Sequence, residues 1–382
     1  MIYLDNAATT RPYDAVIELI SQMNKEFFAN PSSQHSAGYE SEKKLTCAKE
    51  TVMSAIGAKS GQLIFTSGGT ESNNQIFMGF LKNAIKRCPH IITTEIEHPS
   101  VLEVVAELKK QGCEVTYIAP DEYGVISADK VAEAVRENTK IVSVMAVNNE
   151  TGAINPIADI VKKVKAKNPD ILVHSDCVQA MGNIKISVDK WGVDAISLSA
   201  HKICGPKGVG ALFIRDKVRV LPIILGGHQQ KNMRSGTENV PGIVGFAKAA
   251  EITEQNFAEK MMNLYAIKSE LAEKLAGNDG IELNNPGEKY SSHIASIRVK
   301  NVRSEVMLHA LESYGICVSA GSACSTNKPA PSHVLLAQGY DRKHIEETIR
   351  VSFGAHTDID EVSAFCDILI KEAENLSRFV RV

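Results

Sequence analysis

The sequence is short of several things. It has one tryptophan, and aromatic residues make up 5% of its 382 positions. No apolar run reaches the roughly 20 residues that a membrane-spanning helix needs, so no membrane is expected. The formal net charge is only -3, which gives no electrostatic case for direct nucleic-acid binding. The eight cysteines never fall into a CxxC pair, so neither a zinc cage nor a thioredoxin-type site is expected, and no metal is called. The opening Met1-Ile-Tyr-Leu-Asp5 lacks the layout of a secretory leader. The expectation is a cytoplasmic protein with reduced thiols.

What is present is a globular chain, 44% hydrophobic and 23% charged, long enough for one large and one small domain. Strand-like and helix-like stretches alternate through its first half. Strands are predicted at Gln62–Thr66, Ile91–Thr93, Glu114–Ile118, Ile141–Val147, Ile171–His174, Ala195–Leu198 and Gly210–Ile214. Helices are predicted at about 99–111, 127–137 and 157–167. An earlier helix after Pro12 places Val16, Ile17, Ile20 and Met23 on one face. This alternation predicts an α/β fold, a mostly parallel sheet with helices on both faces. Beyond about residue 222 the pattern changes to a long polar loop, one long helix from Pro241 to about Leu275, and then a smaller α+β unit. The expected division is a large domain over 12–258 and a small one built from 1–11 and 259–382.

In a sheet of this kind, ligands sit at the carboxyl ends of the strands. The chemically promising residues cluster there. Ser67-Gly-Gly-Thr-Glu-Ser-Asn73 turns from strand to helix and can present free backbone N–H groups to a phosphate. A plain helix cap by Ser67 or Thr70 explains it equally well. Asp176, in Val173-His-Ser-Asp-Cys-Val-Gln179, is either a cap or the partner of a protonated ring nitrogen. Lys202 lies between Ser199 and Gly205, in a polar turn between two apolar strands. A lysine there suits either ordinary cover of a strand end or Schiff-base chemistry. A Schiff-base lysine one strand after a ring-partner aspartate is the pairing that pyridoxal phosphate requires. His98, just before Pro99, is a helix-entry residue or a ring-stacking one. Cys324 sits in Ser319-Ala-Gly-Ser-Ala-Cys-Ser-Thr-Asn-Lys-Pro329, a small polar loop that predicts an exposed, mobile thiol. It is a nucleophile or an incidental loop thiol.

Three pieces are specific together: Ser199-Ala-His-Lys-Ile-Cys-Gly-Pro-Lys-Gly208, Met233-Arg-Ser-Gly-Thr237 and Gly321-Ser-Ala-Cys324. With Tyr3-Leu-Asp-Asn-Ala-Ala-Thr9 and Ile349-Arg-Val-Ser-Phe-Gly354, they make the chain resemble cysteine desulfurases of the NifS/IscS group. These belong to the class V aminotransferase family of fold-type-I pyridoxal phosphate enzymes. The resemblance implies conversion of L-cysteine to L-alanine with transfer of sulfur to an enzyme cysteine. It implies that Lys202 carries the cofactor, that Asp176 meets the ring nitrogen, Gln179 the ring hydroxyl, and that His98 stacks on the ring. Gly69, Thr70, Ser199 and His201 correspond to the phosphate cradle. Thr237 corresponds to a phosphate contact reaching in from a second subunit, which implies a homodimer. Asn149 and Arg350 correspond to residues that hold the substrate, and Cys324 to the sulfur acceptor. A partner protein, an iron–sulfur scaffold or a tRNA-thiolation enzyme, then receives the sulfur. A selenocysteine lyase or an aminotransferase on the same fold is the alternative. Departures are Ser325, where a threonine is common, and Ala355-His356, where an arginine is common. Some members also continue into a tail that contacts the scaffold, beyond the point where this sequence ends at Val382, which leaves the acceptor open.

Overall fold

The computed structural model describes residues 1–320 and 331–378. Its strands are β1 (Ile2–Tyr3), β2 (Gln62–Thr66), β3 (His90–Thr94), β4 (Glu114–Ile118), β5 (Thr139–Ser143), β6 (Leu172–Asp176), β7 (Ala195–Ser199), β8 (Gly210–Ile214), β9 (Ile281–Leu283), β10 (Ile294–Val299), β11 (Ile316–Cys317), β12 (Ser319–Ala320) and β13 (Thr348–Ser352). Seven of them form one sheet in the order β2-β8-β7-β6-β5-β3-β4. All its pairings are parallel except those of β8, which runs antiparallel to both β2 and β7. The mostly parallel sheet read from the sequence is therefore present.

The strand sequences explain why this sheet is buried on both faces. Leu63, Phe65, Ile92, Val142, Val173, Ile196 and Phe213 pack into one apolar layer. Ile64, Ile91, Ile141, Leu172, Ala195 and Leu212, their immediate neighbours in sequence, pack into the other. This is the two-residue alternation of a pleated strand, with apolar side chains on both sides. Each such side chain taken wholly out of water contributes about 1.5–3 kcal/mol.

A second sheet, β12-β13-β10-β9, is antiparallel. Its Ala295, Ile297, Ile349 and Val351 pack with Leu264 and Leu271 of one helix and Phe365, Cys366 and Leu369 of another. Leu4, from the start of the chain, enters this same core, whereas Val334 joins the core of the large sheet. Cys366 is fully buried on helix Ile359–Ser377. Cys366→Ser puts a hydroxyl into an apolar face and is expected to lower stability by about 1–3 kcal/mol, read as a lower urea midpoint.

Four expectations need correction. The single helix to Leu275 is two helices, Val240–Gln255 and Phe257–Leu275, broken at Asn256, whose own N–H still reaches the Ile252 carbonyl. Asparagine is a poor helix former that competes for backbone bonds, which suits it to such a joint. The helix expected over 127–137 is only Ala128–Glu133. Ile17, expected on the buried face of the first helix, Asp14–Glu26, is 51% exposed, while Val16 and Met23 are buried. The strand expected to reach Val147 ends at Ser143, although Val144 and Ala146 still donate to the carbonyls of His174 and Asp176.

Candidate active site

The carboxyl ends of β2, β3, β6 and β7 face one region, and each delivers part of the site. Asp176, expected two residues past a strand ending at His174, is instead the last residue of β6, and it is 4% exposed. Its Oδ2 accepts from Asn73 Nδ2 at 2.7 Å and its Oδ1 from the Val178 N–H at 2.9 Å. It thus makes the local turn contact of a cap and also keeps a buried carboxylate fixed at a strand end. Asn73 Nδ2 also reaches Ser100 Oγ at 2.8 Å, and Ser100 Oγ lies 2.8 Å from His98 Nδ1. Asn73 stood inside the glycine-turn motif, but nothing in its residue type pointed to this bridge.

His98 is the N-cap of helix Pro99–Lys110, its Nδ1 accepting the Ser100 N–H at 3.1 Å. The helix-entry reading is therefore correct, and it leaves Nε2 and the ring faces uncommitted by that cap. Burial lowers the imidazole's proton affinity; the Asp176 charge raises it, and Lys202 and His333 lower it. Beside it, the buried Glu97 carboxyl is pushed up to about 8 by burial, against hydrogen bonds from the Met145 N–H and Thr94 and with a contribution from the Asp176 charge. Glu97 is thus neutral near pH 7, which spares Asp176 a second buried negative charge.

Ser67 and Thr70, the expected caps of the next helix, do not cap it. Helix Gly69–Leu81 begins after Gly68, with no side chain capping it. Its first N–H groups therefore lack the usual side-chain partner. The backbone is closely packed here: a Cβ on Gly69 would lie 2.6 Å from Val178 Cγ2, and one on Gly210 would lie 2.6 Å from the Cα of Gly68. Ser199, 2% exposed at the end of β7, stands beside this turn, its Oγ 3.9 Å from where a Gly68 Cβ would be. The acidic Glu71 in the first helical turn is paired with Arg234, Nε to Oε1 at 2.9 Å, which offsets its negative charge at the helix start.

Lys202 follows in the turn Ala200–Lys202 and is half-buried. Its Nζ donates to the carbonyls of Ala7 and, at 2.7 Å, Ala8. The Asp5–Thr10 segment is in fact a strap across the site. Gln179 Nε2 donates to the Ala7 carbonyl at 2.9 Å, and His201 Nδ1 lies 3.1 Å from Thr9 Oγ1. Burial, with Lys202 and Lys207 adding to it, pushes the His201 imidazole down to about 4, so it is neutral near pH 7. Gln179 Oε1 lies 3.3 Å from Nε2 of the buried His293.

Arg350 comes from β13 and is 7% exposed. Nη1 donates to the Asn149 carbonyl at 3.0 Å and Nη2 to Asp5 Oδ1 at 2.9 Å. The structure therefore brings Asp176, His98, Gln179, Ser199, His201, Lys202, Asn149 and Arg350 into one connected region, with the Gly69–Thr70 turn at its edge. Thr237 is exposed in the loop before helix Val240–Gln255 and joins none of these contacts. Cys324 lies outside the described residues. Sequence reasoning placed Glu97 at a strand end without a role and gave none to Asp5, Asn73 or Ser100, which act through partners far away in the chain. Among the described residues no cluster of three His, Cys, Asp or Glu stands together as metal ligands, and no helix is long and apolar enough to cross a membrane.

A half-buried lysine, a fixed carboxylate, an uncapped helix start and an arginine can together hold a flat, phosphate-bearing aldehyde cofactor and an amino acid. The class V aminotransferase family model matches residues 2–365, and the chain belongs to that family. Within it, the chain is 39% identical to the cysteine desulfurase IscS of Dictyoglomus turgidum, over 98% of this chain and 95% of that one. It is 38% identical to the IscS of Methanosarcina thermophila, over 98% and 93%. Among solved structures it is similar to a NifS-like protein, at a TM-score of 0.91, 38% identity and coverage of 99% and 100%. It is also similar to a structure described as SspA in complex with cysteine, at a TM-score of 0.83, 32% identity and coverage of 94% and 100%.

Proposed function

We propose that this protein is a pyridoxal phosphate-dependent cysteine desulfurase, which converts L-cysteine to L-alanine and takes up the sulfur as a persulfide on Cys324. The observation that carries the reading is the strap Asp5–Ala8, which touches both Lys202 and Arg350 and so sets an amine-handling group near a carboxylate-handling one. The residues fit the cofactor: the uncapped start of helix Gly69–Leu81 suits a phosphate, and the buried Asp176 suits a protonated ring nitrogen. In this reading Gly69, Thr70, Ser199 and His201 hold the phosphate, with Thr237 from a second subunit. Gln179 would donate to the ring hydroxyl, His98 would stack on the ring, and Lys202 would make the covalent link.

Bound pyridoxal phosphate supplies an electron sink for negative charge at the substrate α-carbon. The protein's part is then positional and acid–base. Arg350 and Asn149 hold the substrate cysteine. Lys202, which would also hold the cofactor, is the base that takes the α-proton. Asp176, oriented by Asn73 and the Val178 N–H, would present its carboxylate to a protonated ring nitrogen. The Cys324 thiolate attacks the substrate sulfur. An S–S bond forms as the C–S bond breaks, the departing electron pair takes a proton at the β-carbon, and return of the α-proton from Lys202 completes alanine. A sulfur-acceptor protein of iron–sulfur assembly or tRNA thiolation then takes the terminal sulfur, in the cytoplasm. With a reductant present, cofactor-loaded protein given L-cysteine is expected to release alanine and sulfide in equal amounts; pyruvate or no product would contradict the reading.

We further propose a homodimer with composite sites. Its support is the exposed stretch Leu221, Ile224 and Leu225, 36%, 37% and 73% exposed, which leads toward the exposed Thr237. Mixing inactive Thr237→Ala and Lys202→Ala chains under exchange conditions is expected to restore up to about a quarter of activity, because one hybrid site carries both residues intact. Full inactivity of the mixture, or an active monomer in sedimentation, would contradict the shared site.

A further inference from the structure

We propose that Asp5 is a positioning residue for substrate recognition: its carboxylate sets the plane of the Arg350 guanidinium so that one N–H edge is held ready for the α-carboxylate of an amino acid. The proposal rests on the assignment of Arg350 to the substrate carboxylate.

A guanidinium carries five N–H donors in a rigid fork. Two acceptors of the protein orient this one, Asp5 Oδ1 at Nη2 and the Asn149 carbonyl at Nη1. The Nε–H is buried and finds no hydrogen-bond partner among the described residues. A buried donor without a partner costs free energy unless a ligand satisfies it. The two contacts come from different parts of the chain, one from its start and one from the loop after β5. They restrain rotation of the plane without occupying Nε–H. A bidentate grip on a carboxylate needs such a fixed plane, because both N–H bonds must point the same way.

Asp5 is itself held. Its neighbours pair with the end of β13: the Ser352 N–H donates to the Leu4 carbonyl at 2.7 Å, and the Ala7 N–H to Ser352 Oγ at 2.8 Å. The carboxylate therefore lies two residues along from Arg350 on a partner strand segment. Two and three residues further on, the carbonyls of Ala7 and Ala8 meet Lys202 Nζ. One short segment thus fixes the arginine relative to the lysine. In the sequence Asp5 stands only as one residue of Tyr3-Leu-Asp-Asn-Ala-Ala-Thr9, with no role of its own.

An ion pair that merely stabilised the fold would affect every ligand alike. L-Alanine and ethylamine differ only in the carboxylate, so they separate the two roles. The experiment titrates each ligand into cofactor-loaded full-length protein and follows the cofactor absorbance, for wild type, Asp5→Asn, Asp5→Glu and Arg350→Ala. In Asp5→Asn the apparent Kd for L-alanine and the KM for L-cysteine are expected to rise about tenfold, with kcat within about threefold. Ethylamine binding is expected to change less than about twofold, and Asp5→Glu to recover part of the loss for L-alanine. Unchanged L-alanine binding in Asp5→Asn, or equal weakening of L-alanine and ethylamine in both Asp5 variants, overturns the proposal. If Arg350→Ala binds L-alanine as wild type does, the assignment of Arg350 falls first and the role of Asp5 falls with it. If only the Arg350 variant responds, Asp5 alone was misread.

Discussion

Replacing Lys202 by alanine is expected to cut alanine formation from L-cysteine by at least about 10³-fold, the scale of a lost general base that also carries the cofactor. The fold should survive. The Ala7 carbonyl, which loses a donor, still accepts from Gln179 Nε2 at 2.9 Å. Leaving the Ala8 carbonyl without this donor costs about 1–3 kcal/mol at most, and water offsets part of that. Cofactor affinity should fall but persist, because Asp176 is oriented by Asn73 and Val178 and does not depend on the lysine. The variant should therefore bind pyridoxal phosphate by equilibrium dialysis yet lack the absorbance of a covalently linked cofactor. Alanine formation at the wild-type rate would remove Lys202 from its role.

Cys324→Ser is expected to lower alanine release and persulfide formation by at least about 10²-fold, since a hydroxyl is a far weaker nucleophile toward sulfur than a thiolate. Substrate should still perturb the cofactor absorbance, because Lys202, Asp176 and Arg350 are untouched. The other cysteines are poor substitutes. Burial raises the thiols of Cys113, Cys177 and Cys204 and pushes that of Cys366 up to about 12, so none is a thiolate near neutral pH. Cys88 precedes β3 and therefore lies at the amino ends of the parallel strands, away from the site. Cys47 is in the middle of helix Ser36–Ala55. Cys317, half-buried in β11 beside Tyr3, is the useful control: Cys317→Ser should turn over normally. Normal turnover by Cys324→Ser would mean that the reaction is not a desulfuration through this residue.

The large sheet was legible because its strands are dense in β-branched residues and bounded by polar turns. Five of the seven, at 62–66, 91–93, 114–118, 195–198 and 210–214, lie where the pattern puts them to within a residue. The break at Asn256 was not legible, because no glycine or proline marks it and the apolar spacing runs through it. The same limit applies to the site. Asp176, His98 and Lys202 stand out because strand ends and turns localise them. Asn73, Ser100 and Asp5 act through partners 103, 27 and 345 residues away, and no local pattern encodes such pairings. We propose the division of the chain at 12–258 against 1–11 with 259–382; Leu4 in the second core supports the split start of the small domain.

The most direct measurement is mass spectrometry of the peptide that contains Cys324, after cofactor-loaded protein meets L-cysteine without reductant, with free alanine counted in the same sample. The account predicts one added sulfur on Cys324, absent from the other cysteines, and alanine equal to the sulfur gained. Alanine without added sulfur on Cys324, or sulfur carried on another cysteine, would contradict it.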